Sequence, residues 1–459
     1  MSDRLIVVSV DSHAQMPPEA WPQYLEPRFH DELPGLHEEN ALYTGLMGTL
    51  STRVQGPETF PIFDREHAVE GGGFYGIWDA DIRLREMDRE GVAGEFVYFG
   101  DHRAVAMFFN IFNRRHSREL CDAGMRAHHR WLADTFGEHT DRLFLVGVGT
   151  TGTDIDATVA ELDWIADHGF AGTYAPGFTA QPDLPPLWDA YWDPVWQRCV
   201  ERGLPLFVHA GHGLPQGEIL PEVERIKAEV EGAGGSETDF IMRVTTELLT
   251  GEFFADVRPR QPMWQLMLGG VFDRYPDLKL VMTEVRADWL PATLQLLDRV
   301  YLAHRDALPA KHSPTEYWHR NCHMSLSFVH QAEVGMRHEM GIETLSFGRD
   351  YPHNESTWPN TKAWLRDAFG ELPENELRLI LGENVIRFAG LDRARLATVA
   401  EQIGPTVAEL SADAPAVDAE LIEHFQLRGG YLKPPEGDAK FPLVLPLLDA
   451  DLAKAGITA

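Results

Sequence analysis

The sequence predicts an α/β protein, a closed (β/α)8 TIM barrel, from three observations. Short apolar runs alternate with helix-patterned stretches, the mark of parallel β/α architecture. There are eight such runs, the number a closed barrel needs. Polar residues able to do chemistry directly follow four of them, at the strand ends where barrels build their sites.

The runs come in order. Leu5–Val10 (LIVVSV) is the first predicted strand. A helical stretch containing Ile82–Met87 leads to Glu95–Phe99 (EFVYF). The Arg126–Phe136 helix leads to Leu143–Val148 (LFLVGV), and the Ile155–Asp167 helix to Gly172–Ala175. Then follow Pro205–Val208, Leu280–Met282, Met324–Phe328 and Thr344–Phe347. Two long insertions, about 26–76 and about 213–260, are expected to lie over the carboxyl-end mouth, since long connections in a compact domain are usually functional. The barrel domain is expected to span 1–392. Residues 393–459 read as a helical C-terminal extension packed on the barrel exterior, ending past Arg428-Gly429-Gly430-Tyr431.

A net charge of -31 and a pI near 5.0 argue against non-specific binding to nucleic acid or an anionic membrane. Three widely spaced cysteines, Cys121, Cys199 and Cys322, form no disulfide framework and suit a reducing compartment. Met1–Val10 lacks the layout of a signal peptide, and no apolar run reaches the length of a membrane span. The expectation is a cytoplasmic protein.

The chemistry concentrates behind the strands. Asp11-Ser12-His13 follows the first, and residues two apart in extended chain point the same way, so Asp11 and His13 can face one ion. His209 follows the fifth, Glu284 the sixth and Asp350 the eighth. A lone histidine there is more often structural, and a lone aspartate often caps a helix. Five such residues at four strand ends make coincidence a poor explanation. Mixed histidine and carboxylate ligands suit iron, manganese or zinc. His102, His212 and His353 are spare ligands near the mouth. Arg286 and Asp288 lie beyond Glu284, where they can grip a substrate carboxylate or simply pair with each other. Arg103 can meet an anion or stay solvated. Phe108-Phe109, Trp289 and Trp358 line either an apolar pocket or plain core, and His128-His129 reads as surface.

These residues resemble the amidohydrolase-related barrels, in particular the branch of metal-dependent decarboxylases. The matching pieces are Val10-Asp11-Ser12-His13 with Pro17-Pro18, Trp78-Asp79 with Arg83-Leu84 and Met87-Asp88, and Pro205-Leu206-Phe207-Val208-His209. Later ones are Tyr275-Pro276-Asp277-Leu278-Lys279, Asp350-Tyr351-Pro352-His353 with Trp358-Pro359, and Gly382-Glu383-Asn384. The resemblance implies that Asp11, His13, His209 and Asp350 are metal ligands. Three departures stand out. Asp-x-His replaces the hydrolases' His-x-His. No lysine stands in Tyr174-Ala175-Pro176-Gly177, where dinuclear members carry a bridging carboxylated lysine. Glu284 stands where the decarboxylases place a histidine.

Glu284 and His102 make a second metal plausible, and on these points the chain looks similar to the TIM-barrel non-haem diiron monooxygenases of diterpenoid tailoring. The stretch Arg258-Pro259-Arg260-Gln261-Pro262-Met263-Trp264 fits that branch. That likeness implies two Fe held by Asp11, His13, His102, His209, Glu284, Asp350 and His353, with Glu284, His353 and Arg286 as catalytic groups. It further implies O2, an electron donor and a bulky, CoA-linked acid substrate. The alternative is a mononuclear hydrolase or non-oxidative decarboxylase holding one Zn or Mn, in which Glu284 moves the proton. A barrel without catalysis is disfavoured, because unpaired buried charge at so many strand ends is costly. Homodimers are common among such barrels.

Overall fold

The computed structural model describes residues 3–41, 44, 57–100, 116–176, 184–212, 219–236, 239–240, 243, 257–327, 329, 331–353, 355–411, 413–427 and 441–457. Nine parallel strand segments form one sheet: β1 (Val8–Ser9), β2 (His13–Ala14), β3 (Gly94–Phe99), β4 (Leu143–Gly147), β5 (Gly172–Tyr174), β6 (Leu206–His209), β7 (Leu280–Thr283), β8 (Cys322–Ser327) and β9 (Leu345–Gly348). Their order is β1-β9-β8-β7-β6-β5-β4-β3-β2, and β1 also pairs with β3, so the sheet closes. β1 and β2 are two pieces of one barrel strand, both laddered to β3. The protein is therefore an eight-stranded (β/α)8 barrel.

The first strand is broken where the expected Leu5–Val10 run meets chemistry. Leu5 turns its N–H to Pro405 O at 2.8 Å, leaving the ladder to begin at Val8. Between the two pieces, Asp11 O accepts from Asp350 N at 2.9 Å and from Ser9 Oγ at 2.7 Å, and Ser12 Oγ donates to Phe96 O at 2.6 Å. The backbone at Asp11 is thus tied to the end of the last strand rather than to a neighbour's ladder.

Alternation along the strands sorts the core into two layers. Val8, Val10, Phe96, Tyr98, Phe144, Val146, Tyr174, Phe207 and Val281 fill the barrel lumen. Leu145, Leu206, Val208, Leu280, Met282 and Met324 face the surrounding helices. The lumen cluster continues into Val385, Ile386, Leu396, Val399 and Ala400, on helices Asn384–Ala389 and Arg393–Ile403. Helix Arg393–Ile403, at the beginning of the tail, therefore packs against the floor of the barrel. The floor needs apolar cover because the lumen residues at that end would otherwise face water. The later helices, Ala419–Leu427 and Phe441–Lys454, pack externally against Phe60–Phe63 and Gln261–Leu268 respectively. Arg428 to Tyr431 lie outside the described residues.

Helix starts follow their caps. Asp79 accepts from Ile82 N at 2.9 Å and Asp154 from Ala157 N at 2.9 Å, opening Ala80–Glu90 and Ile155–Asp167. The helix expected from Arg126 begins at Arg118, capped by Ser117. That longer start buries Leu120, Cys121, Ala123, Gly124 and Met125. His128 and His129, expected on the surface, are both fully buried. His129 Nε2 accepts from Val148 N at 2.8 Å while Nδ1 meets Glu161 Oε1 at 2.7 Å. Adjacent positions are both internal because this helix is wedged between the barrel wall and the Trp21–Tyr24 segment, which leaves it two covered faces. The three cysteines are buried free thiols. Among the described residues no helix is long and apolar enough to cross a membrane.

Candidate metal centre

Four strand ends bring six side chains to one point at the carboxyl mouth. Asp11 and His13 come from the broken first strand, His209 ends β6, Glu284 follows β7, and Asp350 and His353 follow β9. Their ligand atoms fall into three overlapping groups: Asp11, His13 and His209; His13, Asp350 and His353; and Asp11, Glu284 and Asp350, each with atoms within 4.8 Å of one another. His13 Nε2 lies 3.1 Å from Asp350 Oδ1 and 3.5 Å from Asp11 Oδ1. His209 Nε2 lies 3.3 Å from both Asp11 Oδ1 and Glu284 Oε2. His353 Nδ1 reaches Asp350 Oδ1 at 2.8 Å, and its ring stacks on His13 with centroids 3.9 Å apart.

These residues fit a divalent ion on the protein's own evidence. His13 Nδ1 faces Phe99 O at 3.0 Å and His209 Nδ1 faces Ala210 O at 3.2 Å. A carbonyl can only accept, so each Nδ1 donates and each Nε2 turns a lone pair inward, the arrangement metal-binding imidazoles adopt. His13 Nε2 and both Asp350 oxygens are buried without a well-aligned hydrogen bond. Pairs 3.1–3.5 Å apart match the separation of two ligand atoms each about 2.1 Å from one ion.

The electrostatics agree. Burial alone would raise the Asp11 pKa, but His13 and His209 hold it below the usual carboxylate range. Burial and the Asp11 charge push Asp350 well up. Burial would lower His13, yet Asp11 and Asp350 outweigh it and push it up to about 10. Carboxylates crowded in a low-dielectric site demand positive charge, and a divalent cation supplies it without protons.

The backbone is strained where it presents these groups. Glu284, Arg286 and Asp350 have φ of 57°, 50° and 58°, a region side chains other than glycine rarely adopt. Sequence patterns carried no sign of this strain, and the roles of several supporting residues were not assigned from them. Ser327 Oγ donates to Asp11 Oδ2, leaving Oδ1 as the carboxylate atom facing both imidazoles. Gly348 makes room: a Cβ there would lie 2.6 Å from Ser327 Oγ and 2.7 Å from Asp11 Cβ. Below the site, Glu95 joins Arg83 Nη1 at 2.7 Å and Arg349 Nη2 at 2.6 Å, all three fully buried. Arg83 also donates to His13 O and, at 3.1 Å, to Ser12 Oγ. This triad clamps the first strand to the last. Ser325-x-Ser327, polar at alternate strand positions, is the one signal that could have pointed to Ser327.

Other expected residues fall differently. His212 is buried and held down at about 3, first by burial and then by His209, and joins none of the three groups. Arg286 pairs with Asp288 at 3.2 Å, the structural alternative weighed for it. Trp289 and Trp358 are core residues, the latter donating to Glu86 at 3.0 Å. His102, Arg103 and Phe108-Phe109 lie outside the described residues.

The model of the family described as Amidohydrolase matches residues 10–391. The chain belongs to this amidohydrolase family. A gamma-resorcylate decarboxylase of Polaromonas sp. (strain JS666) is 23% identical over 196 residues, 41% of this chain and 53% of that protein. The match thus spans about half of that relative. An amidohydrolase from Mycobacterium avium subsp. paratuberculosis K-10 superposes with a TM-score of 0.57 at 17% identity, covering 85% of this chain and 100% of its own. The 5-carboxyvanillate decarboxylase of Sphingomonas paucimobilis gives 0.54 at 18%, covering 85% and 100%. A dihydroxybenzoic acid decarboxylase from Polaromonas sp. JS666, solved with bound manganese and 2-nitroresorcinol, gives 0.53 at 16%, covering 85% and 98%. At these identities the likeness establishes the shared barrel. The family match ends at residue 391, and the first two of these superpositions cover 85% of this chain.

Proposed function

We propose that this amidohydrolase is a divalent-metal-dependent enzyme cleaving a bond beside a carboxyl group of a small, aromatic acid, most simply by non-oxidative decarboxylation. The observation that carries the reading is the convergence of Asp11, His13, His209 and Asp350, two imidazoles and two carboxylates, with Glu284 standing 3.3 Å from His209. The decarboxylase relatives support this alternative over oxygen chemistry.

Asp11, His13, His209 and Asp350 would hold the ion, which when bound supplies Lewis-acid polarisation of a substrate oxygen. Ser327 fixes the rotamer of Asp11. Glu284 is the carboxyl placed to carry the proton that replaces the departing carboxylate on carbon. His353, stacked on His13 and 2.8 Å from Asp350 Oδ1, is a second titratable group beside the ion site. The test is CO2 release from hydroxylated benzoates by protein loaded with Mn2+, compared with metal-stripped protein. Metal-dependent release supports the reading, and inertness toward all such acids overturns it.

A second reading, oxygen activation by a dinuclear iron centre, is favoured by one observation. Six donors in three overlapping groups exceed the four that the first reading gives to one ion. Two irons shared among Asp11, His13, His209, Glu284, Asp350 and His353, an electron donor and a CoA-linked acid belong to that reading. Two irons per chain in protein purified without added metal, with O2-dependent hydroxylation, would establish it over the first.

A further inference from the structure

The C-terminal helix Phe441–Lys454 lies outside the family match, yet it is joined to the active-site wall by a continuous chain of contacts. Asp451 is 3% exposed, and its Oδ2 accepts from Gln261 Nε2 at 2.9 Å, Trp264 Nε1 at 2.9 Å and Gln265 Nε2 at 3.0 Å. Those donors sit on helix Gln261–Leu268. Immediately before that helix, buried Arg260 lies over the Trp289 ring, 4.1 Å from its centroid. Trp289 Nε1 donates to Val285 O at 2.7 Å and Arg286 O at 2.8 Å. These carbonyls belong to the left-handed turn that presents Glu284.

Strain explains why such a chain matters. Two non-glycine residues with positive φ, Glu284 and Arg286, relax unless the surroundings over-determine them. Glu333 anchors the turn from one side, accepting from Ala287 N at 2.8 Å. Trp289 anchors it from the other, and Trp289 is itself held by the segment that Asp451 grips.

We propose that Asp451 is a positioning residue: the C-terminal helix, through Gln261-Trp264-Gln265 and the Arg260–Trp289 stack, holds Glu284 at the metal centre. The inference rests on Glu284 being a metal ligand, the role the second reading gives it through the Asp11, Glu284 and Asp350 group, and its test separates the two claims. Mn2+ alone is titrated into the full-length, metal-stripped chain and into variants, with thermal unfolding measured alongside. Asp451→Ala weakens Mn2+ binding about tenfold, the scale of a lost outer-shell partner. Trp289→Phe, which lacks the indole donor, weakens it similarly, and the double variant is no worse than either single one. Asp451→Asn, which keeps an acceptor oxygen for the three donors, restores binding. Leu443→Ala, exposed on the same helix, leaves it unchanged. A lowered Tm with unchanged Mn2+ affinity in Asp451→Ala overturns the proposal and leaves Asp451 a fold anchor. If Glu284→Ala itself leaves Mn2+ affinity unchanged, the ligand role of Glu284 fails instead.

Discussion

His13 Nε2 and Asp350 Oδ1 stand 3.1 Å apart although they come from the first and last strands of the barrel. Closure of the sheet through β1 and β9 is what brings them together. The candidate centre therefore exists only when the barrel is complete, which couples metal binding to folding. An ion that binds the native state alone stabilises it by about 2.7 kcal/mol at a concentration one hundred times its Kd. Adding Mn2+ to stripped protein is expected to raise Tm, and a chelator to reverse the gain.

Single replacement of His209 or Asp350 by alanine removes a ligand atom and is expected to abolish activity. It should weaken metal affinity by at least the ~10–100-fold seen for outer-shell partners, and metal content should fall with it. Elemental analysis of the purified variants is the check, and full metal in both would refute the ligand assignment.

Glu284→Gln preserves volume and one acceptor but cannot carry a proton. A fall in kcat of roughly 10²–10⁴-fold is expected for a lost general acid or base. Metal stoichiometry then assigns the role. A constant value marks a proton carrier, and a drop from two to one marks a ligand.

Glu95 is the carboxylate shared by Arg83 and Arg349, and its removal takes an ion-pair partner from two buried guanidiniums. Breaking a buried ionic cluster by deleting one partner costs roughly 3–5 kcal/mol. Glu95→Ala is expected to lose that much in urea unfolding and to weaken metal binding, because Arg83 bonds the backbone of His13.

His323 is buried in the lumen against Phe388, and burial, then Arg387, holds its pKa down at about 3. The unfolded chain takes up this proton near the ordinary value of about 6.5. Between those limits the unfolded state binds more protons, so stability falls as pH drops below about 6.5. Each such histidine contributes a slope of up to about 1.4 kcal/mol per pH unit. His323→Leu should remove one such slope between pH 6.5 and 5, leaving that of His128 and His212, which are depressed in the same way. An unchanged pH profile of unfolding would show that His323 is protonated in the native state.

The barrel was legible because its evidence is local. Apolar runs such as Leu143–Gly147 and Leu280–Thr283 need only their own composition and period to declare a buried parallel strand. Asp11, His13, His209, Glu284 and Asp350 were legible for a related reason, since each stands within a few residues of a strand end and strand ends converge in a closed barrel. His128 and His129 were misread because burial of both depends on what covers a helix from two sides, which no window of sequence contains.

What the sequence by itself determined is therefore the set of strands, their closure and the side chains that meet at their ends. The tertiary structure alone decided how those side chains are held: Ser327 on Asp11, Arg83 and Arg349 on Glu95, and Asp451 reaching the Glu284 turn through Trp289. The physical reason is distance along the chain. Periodicity reports which face of an element is buried, but a hydrogen bond between residues 316 positions apart is fixed only when packing has placed both elements to within an ångström.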